Sequence, residues 1–181
     1  ISPSAFAGSE LLIDLGQLRD AGWLSDADLR TVPAFPVGRV DYDAARRFRM
    51  AHLRRAAKRF FAHPAASEHT AFDAFCASAR GWLDDYALFM ALDSVHGGNG
   101  RMWQDWPAAL ARRQPAALHD AQHKHADEVQ FWKFCQWIFY AQWQALKHYA
   151  NQRGILIVGD MPIFVSAHSA DVWSHQKLFD L

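Results

Sequence analysis

The sequence predicts an α/β fold built on a parallel sheet, and three stretches carry that prediction. The run GILIVGDMPIFV, Gly154 to Val165, places four aliphatic residues between a glycine and a Gly-Asp pair, the pattern of a short strand buried on both faces. ELLIDL, Glu10 to Leu15, is a second apolar run closed by a carboxylate and reads as a second strand. Between them, a helical pattern from about Pro115 to Gln152 ends at Gly154 and runs at once into ILIV, the αβ half of a βαβ unit.

The intervening text is mostly helical. After ELLIDL, GQLRDAGWLSDADL carries helix formers and a start signal at Ser25 or Asp26. TVPAFPVGRVDY holds two prolines and a glycine and reads as loop. From Asp43 to about Phe61 a strongly helical stretch is rich in arginine, a composition suited to a solvated helix face or to an acidic or phosphate-bearing partner. A further helical region runs from Thr70 to Val95, where Phe72, Phe75, Cys76, Ala79, Leu83, Tyr86, Ala87 and Met90 recur at spacings of three and four, with a break or kink expected at Gly81. HGGNG supplies glycines for its end, and Pro107 suits a first helical turn.

Composition narrows the classes of function. With 181 residues, 51% of them hydrophobic and 21% charged, the chain has the make-up of a globular domain with a real core. Its 19 Lys and Arg balance its 19 Asp and Glu, so no global field draws it to nucleic acid or to an anionic membrane. Lys133, Gln136, Gln142, Gln144 and Lys147 interrupt the longest apolar stretch, which makes it a poor membrane span. Cys76 and Cys135 fall in helical patterns and read as packed thiols of a reducing compartment, and cytoplasm is the expected location. The opening without methionine and the stop after Leu181 read as a piece of a longer chain.

Most motifs that suggest chemistry admit a plainer reading. His119 and His123 lie four apart on one helical face, but no third ligand accompanies them, so no metal is expected. HGGNG lacks the lysine of a phosphate loop and follows a helix, not a strand. Asp84 and Asp85 diverge by about 100° on a helix and suit caps or salt bridges better than acid and base work. Most of the eight tryptophans sit at core-facing spacing. Asp160 stands out. A carboxylate at the C-terminal end of a buried strand is where open sheets and barrels meet ligands, although capping the next turn or pairing with an arginine explains it equally well.

Read together, SPSAFAGSELLIDL, WLDDYALFMAL, FWKFCQWIFYAQWQALKHYA, GILIVGDMPIFV and HSADVWSHQKLF closely resemble the amylomaltases, the 4-α-glucanotransferases also called disproportionating enzymes. The resemblance implies part of a (β/α)8 TIM barrel with a largely helical inserted subdomain. Residues 1–20 would hold the second barrel strand region, 21–115 a mainly helical insertion, and 116–181 a long helix, the third barrel strand and the loop after it. It further implies transfer of an α-1,4-glucan segment to a sugar hydroxyl with retention, on maltooligosaccharide or starch-like glucan and with no cofactor. Retention needs two carboxyl groups about 5 Å apart, and the family's nucleophile and acid motifs are not in this text.

By the same resemblance Asp160 is the family's supporting aspartate, neither nucleophile nor acid, and Pro162 stiffens the turn after it. Ser2 and Pro3 are expected on the donor side of the glucan groove, and His168 receives no chemical role. The competing reading is a non-catalytic helical module that binds carbohydrate or a protein through its aromatic and arginine-rich surfaces.

Overall fold

The computed structural model describes residues 2–62, 66–160 and 162–181. Its helices are α1 (Leu15–Asp20), α2 (Asp26–Leu29), α3 (Tyr42–Ala62), α4 (Ala66–His96), α5 (Ala108–Ala111), α6 (Pro115–Lys124), α7 (Ala126–Asn151) and α8 (Ala170–Ser174), with short 3-10 turns at Glu10–Leu12, Gly98–Gly100, Trp103–Asp105 and Gln176–Leu178. Two compact units result: Gly8–Ala74 with Phe134–Leu156, and Ile1–Ala7 with Phe75–Lys133 and Ile157–Leu181.

Neither expected strand forms, and no strand occurs among the described residues. Glu10–Leu12 is a 3-10 turn, and Leu15 already opens α1. Local side chains explain the change. Ser9 Oγ accepts from the Leu11 N–H at 3.4 Å, and Asp14 Oδ1 accepts from the Gly16 N–H at 2.7 Å, so two short polar residues satisfy donors that a ladder would otherwise take. Two glutamines of α7 do the rest. Gln136 accepts from the Gly8 N–H at 2.8 Å and donates to its carbonyl at 3.0 Å, and Gln142 repeats the pattern on Asp14 at 2.8 and 3.1 Å. Side-chain amides thus stand in for a neighbouring strand.

Ile155–Val158 forms neither helix nor strand, and Leu156 and Val158 are 81% and 92% exposed. A strand exists only through hydrogen bonds to a neighbour, and among the described residues this run has no such ladder. Its start is as expected: Gly154 takes φ 72°, and the Ile155 N–H reaches back to the Ala150 carbonyl at 3.0 Å, closing α7.

The helical expectations need two corrections. The 115–152 helix is two helices, because His125 at φ −113°, ψ 27° leaves the helical region between α6 and α7. The backbone bonds His125 N–H to Ala121 O and Val129 N–H to His125 O, both 2.9 Å, make this a kink and not a loop. Gly81, where the sequence predicts a break, lies inside an unbroken α4. Its cost in helix propensity, about 1 kcal/mol, is outweighed by the packing of Leu83, Tyr86 and Ala87, all buried just beyond it.

In the unit containing α1, α2 and α3, Phe60 is fully buried at the centre of an aromatic cluster, with ring centroids at 5.4 Å to Trp23, 5.6 Å to Phe72, 5.3 Å to Phe134 and 5.1 Å to Trp137. Leu53, Ala56 and Ala57 continue that face of α3 at helical spacing. Four arginines of α3 are docking groups. Arg46 meets the buried Glu10 at 2.6 Å, Arg55 and Arg59 meet Asp28 at 2.8 and 2.6 Å, and Arg49 donates to the Ile13 carbonyl at 2.6 Å.

Asp28 also closes a capping box at the start of α2, accepting from the Ser25 N–H at 2.8 Å while its own N–H reaches Ser25 Oγ at 3.3 Å. The Ser25 N–H, the Arg59 guanidinium and the Ser25 hydroxyl, in that order, hold the Asp28 carboxyl well below the usual carboxylate range.

In the other unit, α4 buries Leu83, Tyr86, Phe89 and Leu92. Trp106 and Trp173 pack on Phe89 with centroids at 5.3 and 5.9 Å, and Arg113 lies over the Trp173 ring at 4.2 Å. Asp84 and Asp85 each take a cation, Lys133 and Arg113 respectively, in keeping with their adjacency on the helix. The rings of His119 and His123 approach to 4.4 Å, and no cluster of three metal-ligating groups occurs among the described residues. No helix among them is long and apolar enough to cross a membrane.

Candidate substrate groove

Two segments that the sequence singles out lie side by side. Ser2, Ser4, Ala5 and Ala7 form one wall of a cavity of about 180 Å³, and Pro162, Phe164, Val165 and Ser166 form the other. Ser2 therefore lines this cavity. Asp160 is exposed, two residues before the second wall begins. Pro3 serves as a structural tie, since its carbonyl accepts from the Ala170 N–H at 2.8 Å.

The first wall is shaped by hydrogen bonds within and beyond itself. Ser2 Oγ donates to the Ser4 carbonyl at 2.6 Å, and the Phe6 N–H donates to Ser4 Oγ at 3.1 Å. Ser4, 3% exposed, donates through that hydroxyl to Asp171 Oδ1 at 3.0 Å, and the Ala5 N–H donates to Asp171 Oδ2 at 2.6 Å. Asp171 sits in the first turn of α8, whose start is fixed by Ser169 Oγ accepting from the Val172 N–H at 3.2 Å.

His168 anchors the far end of the second wall. Its Nδ1 accepts from the Trp103 N–H at 3.1 Å, which leaves Nε2 as the donor to Asp93 Oδ1 at 2.8 Å. Trp103 Nε1 donates to the neighbouring Ala167 carbonyl at 2.7 Å. Gly97 is required beside this pair, because a Cβ there would lie 2.1 Å from Asp93 Oδ1.

Sequence reasoning gives no role to Asp171, Asp93 or His168. The signals are nonetheless present. Asp93 is a carboxylate within the apolar text LFMALDSV, and Asp171 follows two residues after a serine that begins a short helix.

Comparison with known proteins agrees over the whole chain. The family model described as 4-alpha-glucanotransferase, glycoside hydrolase family 77, matches residues 1–181. The 4-alpha-glucanotransferase of Thermus thermophilus is 45% identical over 178 residues, covering 98% of this chain and 34% of that protein. The Synechocystis 4-alpha-glucanotransferase is 39% identical over 178 residues, with 98% of this chain and 35% of that protein covered. Among solved structures, the amylomaltase from Streptococcus agalactiae in complex with acarbose superposes with a TM-score of 0.90 at 35% identity, covering 99% of this chain and 36% of that one. The chain thus spans about a third of the length of the relatives it matches. It belongs to the 4-alpha-glucanotransferase family, glycoside hydrolase family 77.

Proposed function

We propose that this chain is part of the catalytic domain of an enzyme that moves an α-1,4-glucan segment from a maltooligosaccharide or starch-like donor to an acceptor sugar hydroxyl, with retention. The observation that carries the reading is the family match across all 181 residues. The alternative of a non-catalytic binding module receives no support from these similarities.

In this reading Ile155–Val158 becomes a stave of a (β/α)8 barrel once neighbouring strands supply the ladder it needs, and Asp160 then stands at the C-terminal rim where barrel enzymes bind substrate. Asp160 holds neighbouring groups in place around the nucleophile and does not itself attack or protonate. Ser2 and Pro3 belong to the donor side of the groove. The likeness to an amylomaltase solved with acarbose supports an α-glucan ligand for the groove. The nucleophile and the acid, about 5 Å apart for retention, come from the remainder of the domain. The enzyme works in the cytoplasm.

The test is the complete protein incubated with maltotriose. Transfer yields glucose together with maltooligosaccharides longer than the substrate. Glucose and maltose without longer products would make the protein a hydrolase, because the two outcomes differ only in whether water or sugar meets the covalent intermediate.

A further inference from the structure

We propose that Asp171 is a positioning residue for the glucan groove, acting as a clasp that sets the wall formed by Ser2, Ser4 and Ala5. This inference rests on the functional reading above and adds a residue to its site.

The geometry has three parts. Both carboxylate oxygens of Asp171 are committed to the first wall, one to Ser4 Oγ at 3.0 Å and one to the Ala5 N–H at 2.6 Å. A carboxylate that accepts two donors fixes both the distance and the rotation of what it holds, and charge-assisted bonds are about twice as strong as neutral ones. The neighbouring Ala170 N–H holds the Pro3 carbonyl at 2.8 Å, so three successive residues, Pro3 and the wall residues Ser4 and Ala5, are tied to two successive residues of α8.

The far side of the clasp is rigid. α8 buries Ala170, Val172 and Trp173, at 2%, 2% and 0% exposure. Trp173 Nε1 donates to the Leu110 carbonyl at 3.1 Å. Ala5 is exposed and carries only a methyl group, which cannot hydrogen-bond, so its hold on position comes from the Asp171 carboxylate of α8. The opposite wall, from Pro162 to Ser166, leads on through His168, which bonds Asp93 Oδ1 at 2.8 Å, into the same α8.

Loosening the clasp widens the groove in the ground state and the transition state alike. The signature of such a loss is a raised KM with kcat preserved. Asp171→Asn keeps one acceptor but turns an amide N–H₂ towards a donor. Asp171→Ala removes both bonds, and Ser4→Ala removes only the hydroxyl bond.

The experiment uses the full-length protein, with maltooligosaccharide transfer kinetics and amide hydrogen exchange read by mass spectrometry on the same variants. Asp171→Ala is expected to raise KM roughly tenfold with kcat within about twofold, and Ser4→Ala to lie between it and the wild type. Exchange at Ala5 and Phe6 should quicken in Asp171→Ala while α7 keeps its protection.

Quickened exchange with unchanged KM would make Asp171 a structural tie alone and overturn the proposal. Unchanged exchange would show that no clasp exists in solution and overturn it as well. Should Asp171→Ala fold poorly, Ser4→Ala decides by the same two readouts. A wild-type protein inert on maltooligosaccharide sinks the functional reading and the groove's role with it. Failure of the clasp alone is told apart by an active wild type beside a variant of equal KM.

Discussion

Gln136 holds Gly8 by both of its backbone groups, and the contact leaves no space for a side chain: a Cβ on Gly8 would lie 2.0 Å from the Phe139 ring. Gln136 is fully buried, so truncating it strands an N–H and a carbonyl that water reaches poorly. Gln136→Leu should destabilise by about 2–4 kcal/mol in urea unfolding. Gln142→Leu, which removes the same pair of bonds at an exposed site, should cost about 1 kcal/mol or less, because water replaces them. Equal costs would mean that burial does not set the value of the clamp.

Phe60 gives a second measure of packing. Its ring is fully buried among aromatic side chains, whereas the adjacent Phe61 is 36% exposed. Phe60→Ala should cost about 3–5 kcal/mol and Phe61→Ala about half that. A reversed order in thermal or urea melts would move the centre of this core elsewhere.

Acid stability follows from Asp28. Its folded carboxyl is held below the ordinary range, so the stability it contributes is fully present above about pH 4 and is lost as pH falls towards the depressed folded value. The wild type should therefore lose melting temperature steeply below that pH, and Asp28→Asn should flatten the slope. His96 works in a separate window. Burial first, then the charges of His125, Lys124 and Arg101, push its imidazole down, so its contribution is complete above the ordinary histidine range and falls as pH drops through that range. Parallel pH profiles for Asp28→Asn and wild type would remove Asp28 from this account.

Helices are legible in the sequence because their signals are local. The three- and four-residue spacing within α4, the helix-forming composition of α3, the Ser25 capping residue and the Gly154 stop need nothing beyond neighbouring residues. The strands are not legible in this way. Aliphatic density in ELLIDL and ILIV reports a tendency to be buried, but pairing depends on a partner segment, and Ser9, Asp14, Gln136 and Gln142 offer the first of these another solution.

The groove is legible in part. Ser2 and the run after Asp160 come from motif resemblance, and both line the cavity walls or lead into them. Asp171, Asp93 and His168 reach their partners across 166, 75 and 65 residues respectively, separations over which periodicity carries no information.

The most direct test of the central claim is the turnover number of Asp160→Asn in the full-length protein, measured beside its melting temperature. If Asp160 stands at the mouth of the glucan site, kcat should fall on the order of a hundredfold while the melt shifts by only a few degrees. A variant with wild-type kcat would contradict the account and leave Asp160 as a cap on the turn that follows it.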